Sequence, residues 1–140
     1  MVRLPRVAFL LAFGLSVASF PARSCDPGAR VFFIQPFNGA TVTSPVEVIF
    51  GSELVAVRPV PEGEPGGNTG HHDLLINLGG VPDGAEIRSD KQHLLFDKGE
   101  TRAQVNLPPG EYTLTLQFAD GNERSHGTEM SATIHVTVVK

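Results

Sequence analysis

The feature that most constrains the fold is a period-two alternation in the C-terminal half of the chain. Across residues 101–107, Thr101, Ala103, Val105 and Leu107 fall on one face, and Arg102, Gln104 and Asn106 on the other. Pro108-Pro109-Gly110 then turns the chain, and Tyr112, Leu114, Leu116 and Phe118 resume the apolar side. Ile134, Val136 and Val138 repeat the pattern near the end. Successive side chains point to opposite faces only in extended backbone, so these stretches are strands with one buried face.

The remainder fits the same class. Val31–Ile34, Val46–Phe50, Leu54–Val57, a strand through His71–Leu78 and a short one near His93–Phe96 are separated by turn signals such as Asn38-Gly39 and Asp97-Lys98-Gly99. Residues 61–70 hold four glycines and two prolines and read as a mobile loop. No helical period, repeat or second domain is visible. The expectation is a single all-β, immunoglobulin-like antiparallel β-sandwich over residues 31–140, after a short linker at 25–30. Tyr112 follows the Pro-Pro-Gly turn as the corner tyrosine of such sandwiches does, where the hydroxyl ties the turn to backbone.

Residues 1–24 read as an export signal. Arg3 and Arg6 precede a short apolar run, Val7–Leu15, and Ala22-Arg23-Ser24 supplies small residues for cleavage. The expected location is periplasmic or otherwise extracytoplasmic. Losing Arg3, Arg6 and Arg23 takes eleven basic residues to eight against fifteen acids, a formal charge of −7. That balance argues against nucleic acid as a partner and for attraction of cations. Cys25, the one cysteine, excludes an internal disulfide and would lead the processed chain. Membrane attachment is expected only if Cys25 is lipidated.

The chemistry-bearing stretch is Gly70-His71-His72-Asp73, which opens the apolar run Leu74-Leu75-Ile76. Imidazole and carboxylate suit zinc or copper(II), and the two-residue spacing sends His71 and Asp73 to one face of a strand. His93 and His126 lie beside turns and complete the candidate metal set His71, His72, Asp73, His93 and His126. His72 reads equally as a buried histidine capping a carbonyl, and His135 as a solvated residue on the water side of its strand. Asp83, Glu86, Asp90, Asp97 and Glu100 lack calcium-loop spacing and read as a solvated acidic face. No nucleophile elbow, phosphate loop or dinucleotide fingerprint appears, so no enzyme is expected. Two functions follow: an exported small binding module holding zinc or copper, or a structural or protein-interaction module of the cell envelope with incidental histidines.

Through Gly70–Asn77, His93 to Thr101, Leu107–Leu114 and Asp120 to His126, the chain resembles an exported family known as domain of unknown function 4399. In that family three histidines precede Leu-Leu-Ile, and further histidines follow in the middle motif and the late loop. The resemblance places His71, His72, His93 and His126 on family histidine positions. Asp73, Leu95 and Glu123 stand where the family has other histidines. It implies export and an immunoglobulin-like fold, and no established activity.

Overall fold

In the computed structural model, residues 25–60, 62 and 67–140 are described. The expected signal at 1–24 lies outside them, as does half of the glycine-rich loop at 61–70. Among the described residues, nine strands form two sheets: β1 (Arg30–Gln35), β2 (Ala40–Thr43), β3 (Val46–Glu53), β4 (Ala56–Val57), β5 (Thr69–Ile76), β6 (His93–Leu95), β7 (Arg102–Val105), β8 (Gly110–Ala119) and β9 (Ser131–Val139). The smaller sheet has the order β1-β3-β7; the larger runs β2-β9-β8-β5-β4, with β6 also paired to β5. The two pack as a sandwich-like all-β fold.

The alternation places the core as expected. Val48 and Phe50 of β3 face Leu74 and Ile76 of β5, Leu114, Leu116 and Phe118 of β8, and Ile134, Val136 and Val138 of β9. Burying such side chains stabilises by about 1.5–3 kcal/mol each. Tyr112 Oη donates to Pro108 O at 2.8 Å, the turn-to-strand tie its position suggested. Thr101 departs from the pattern: it is exposed, because β7 begins only at Arg102.

Sequence reasoning missed β2, whose four residues give too short a run to read. It pairs parallel to β9, from Ala40↔Val136 to Thr43↔Val139. The two-residue β4 likewise pairs parallel to β5. The sheets are thus antiparallel except at these edge contacts.

The outer face of β5 is also buried. Leu75 sits with Ile87 and Ala119 in a second small apolar cluster, flanked by Leu78, Val81 and Leu95. Its cover is two irregular loops joined backbone to backbone. Gly84 N donates to Ser125 O at 2.8 Å, Ser125 N to Ala85 O at 2.9 Å, and Ile87 N to Glu123 O at 2.8 Å.

Candidate functional site

β5 carries the Gly-His-His-Asp stretch between β8 on one side and β4 and β6 on the other. His71 lies opposite Ala119, His72 opposite Phe118 and Asp73 opposite Gln117. Gly70 is required because a Cβ there would run into the backbone carbonyl of Ala119. The strand therefore reaches β8 closely enough to bury all three following polar residues, each with no exposed surface.

Period two divides them. His72 turns into the core between the rings of Phe50, with centroids 5.4 Å apart, and Phe118, at 5.6 Å. Neither of its ring nitrogens has a hydrogen-bond partner among the described residues, so it does not cap a carbonyl. Burial, aided by the nearby His71, pushes its pKa down to about 4. His72 is a neutral aromatic spacer there.

His71 and Asp73 face the other way, beneath the loops, with Nε2 and Oδ1 3.4 Å apart. Neither ring nitrogen of His71 and neither oxygen of Asp73 has a hydrogen-bond partner among the described residues. The Phe96 amide, which donates to His72 O at 3.1 Å, also acts to lower the Asp73 pKa. Burial works to lower the His71 pKa, but Asp73 outweighs it, with help from Glu123 and Asp97, and the net shift is upward. Burial raises the Asp73 pKa against the opposing pull of His71.

The other two candidates stand apart. His93 lies on the same side of the sheet as Asp73, but Asp73 is paired with Leu95 and His93 with Leu75. Its Nδ1 meets Asp90 Oδ1 at 2.8 Å, and Asp90 Oδ1 also accepts from the amides of Gln92 and His93. His126 packs on Phe118 with centroids 5.4 Å apart, and its Nδ1 lies 3.4 Å from Cys25 Sγ. The structure thus joins His71 with Asp73, turns His72 to the opposite face, and leaves His93 and His126 at two further places. Among the described residues, no three His, Cys, Asp or Glu side chains form a group that could hold a metal ion.

Sequence reasoning missed Gln117, because alternation marks it only as outward-facing. It is wholly buried: its amide donates to Gly127 O at 2.9 Å and Met130 O at 3.2 Å, while its oxygen accepts from Val81 N at 2.8 Å. It fastens the loop cover beside Asp73. The Asp90–His93 bond had one readable signal, the three-residue spacing across a turn.

The model of the family described as a domain of unknown function (DUF4399) matches residues 48–139. The chain belongs to that family. The match runs from within β3 to β9 and includes His71, His72, Asp73, His93 and His126, whereas Cys25 and the whole of β1 and β2 precede it. Comparison with curated proteins and with solved structures finds no match.

Proposed function

We propose that the chain is exported, processed before Cys25, and acts as a small extracytoplasmic binding module for zinc or copper(II), with His71 and Asp73 as its paired protein ligands. The observation that carries this reading is the His71–Asp73 pair: a buried imidazole nitrogen and carboxylate oxygen 3.4 Å apart, without hydrogen bonds to other described groups. Buried polar atoms are normally satisfied, and a group of them left open asks for an explanation. A charge-assisted hydrogen bond would draw the two atoms to about 2.7–2.9 Å. Two ligands each about 2.0–2.1 Å from a tetrahedral zinc ion stand about 3.3–3.4 Å apart. Glu123 of the covering loop acts on both residues through its charge, which favours a cation beside them.

The test is calorimetric titration of tag-free protein with zinc and with copper(II), in a Cys25→Ser background. His71→Ala and Asp73→Asn should each weaken binding at least tenfold, with circular dichroism showing the fold intact. Equal binding by all three proteins would overturn the metal reading.

A second reading, an envelope protein-interaction module, has its own observation. Phe37 is 74% exposed and Ile34 59% exposed at one end of the sandwich. Phe37 lines an open pocket of about 520 Å³ with Pro36, Val42, Pro45 and Val139.

A further inference from the structure

We propose that cleavage before Cys25 creates a second metal site, in which the freed α-amino nitrogen and the thiolate of Cys25 join Nδ1 of His126 around one divalent transition-metal ion. It rests on the processing step and is independent of the His71–Asp73 pair. While Ser24 is attached, the Cys25 nitrogen is an amide and a poor donor. Hydrolysis of that peptide bond turns it into an amine. The α-ammonium and the thiol of that cysteine each give up one proton to solvent, and the resulting amine and thiolate close a five-membered ring on a metal.

The third donor is already in place. Cys25 Sγ and His126 Nδ1 are 3.4 Å apart. Tetrahedral zinc, with Zn–S about 2.3 Å and Zn–N about 2.0–2.1 Å, sets its sulfur and nitrogen ligands about 3.5 Å apart. Both partners are held before any metal arrives. The turn after Cys25 is tied by Ala29 N donating to Asp26 O at 2.9 Å and by Asp26 N donating to Asn68 Oδ1 at 3.0 Å. His126 is only 7% exposed; its amide donates to Phe118 O at 3.0 Å and its ring lies on Phe118.

The space between them is a pocket of about 220 Å³, lined by Cys25, Asp26, Gly28, His126, Glu129 and Met130. Two carboxylates on its wall favour a dication, and an open fourth position remains for water or Glu129. A nucleophilic Cys–His pair would need a depressed thiol pKa. Here burial, then Asp26 and Asp83, push the thiol up. A bound metal ion, by contrast, deprotonates a coordinating thiol directly.

The test uses cobalt(II) in place of zinc, because thiolate ligation gives it a near-ultraviolet charge-transfer band. The full chain is expressed with its own residues 1–24, the processed protein is purified, and its first residue is fixed by intact mass. The band should appear at one equivalent and persist in a His71→Ala/Asp73→Asn variant. It should vanish in Cys25→Ser. Selective acetylation of the α-amine, which changes no side chain, should weaken cobalt binding at least tenfold, as should His126→Ala. Equal binding before and after acetylation would overturn the chelate. A chain beginning elsewhere than Cys25, or a diacylglycerol mass on Cys25, would overturn it as well.

Discussion

The two faces of β5 are buried to the same degree by different means. Inward, His72, Leu74 and Ile76 meet a second sheet whose apolar side chains were set by alternation. Outward, His71, Asp73 and Leu75 meet loops held in place by a hydrogen bond that Gln117 accepts from Val81 N and by bonds that the Thr115 and Ser125 hydroxyls donate. A sheet packed on a sheet resists collapse, because each strand is pinned by its neighbours. A loop cover relaxes more readily, and it can open without undoing either sheet. Both faces hold buried polar atoms without hydrogen-bond partners among the described residues, but only His71 and Asp73 lie beneath a cover that can lift, as a ligand site requires.

The largest effect that tests this contrast comes from adjacent leucines. Leu74 and Leu75 are both fully buried, one on each face. Leu→Ala in a core costs about 2–5 kcal/mol, depending on how far the surroundings close the cavity. Leu74→Ala should fall in the upper half of that range and Leu75→Ala in the lower half, measured by denaturant unfolding. Equal losses would mean that the loop cover is as rigid as the second sheet.

The two histidines give the next test, because their pKa shifts oppose. His72 falls from 6.5 to about 4 on folding, mainly through burial. Between those values the unfolded chain binds more protons, so stability drops as pH falls from about 6.5 towards 4 and is unaffected above that window. The full change is on the order of 3 kcal/mol. His71 is raised, so its contribution is complete below its unfolded pKa and is lost as pH rises through its folded one. With chelator present, acid loss of stability should be clear in the wild type and largely abolished in His72→Phe. An unchanged slope would place the acid sensitivity elsewhere.

Alternation made most of this fold legible, but only where one face meets a sheet. Val105, Leu116 and Val136 are buried as the pattern requires. Gln117 and Thr115 are fully buried although the same pattern turns them outward, because nothing in a strand's periodicity reports a loop folded over its far side. The candidate site shows the same boundary. The two-residue step linking His71 to Asp73 is local and was readable, as was the opposite turn of His72 once β5 was extended throughout. The separate places of His93 and His126 depend on register and on distant loops. Cys25 meets His126 across 101 residues, a contact that no spacing rule carries.

The smallest effect concerns the clasp itself. Thr115 Oγ1 donates to Leu78 O at 2.7 Å and lies 2.9 Å from Thr133 Oγ1, from which it can accept. It stands opposite Leu75 and ties the start of the loop cover to β8. Thr115→Val keeps the shape and the β-branched preference for a strand while removing both bonds. It leaves the Leu78 carbonyl short of a partner, at a cost of about 1 kcal/mol. If the cover opens as a unit, amide exchange should quicken at Gly84 and Ile87, whose amide hydrogens bond within it, and at Val81, whose amide bonds to Gln117 of β8, and stay unchanged at Leu116 in the sheet. A uniform increase at all four would show that the loops and the sandwich unfold together. The distinction between the two faces of β5 would then be one of composition alone.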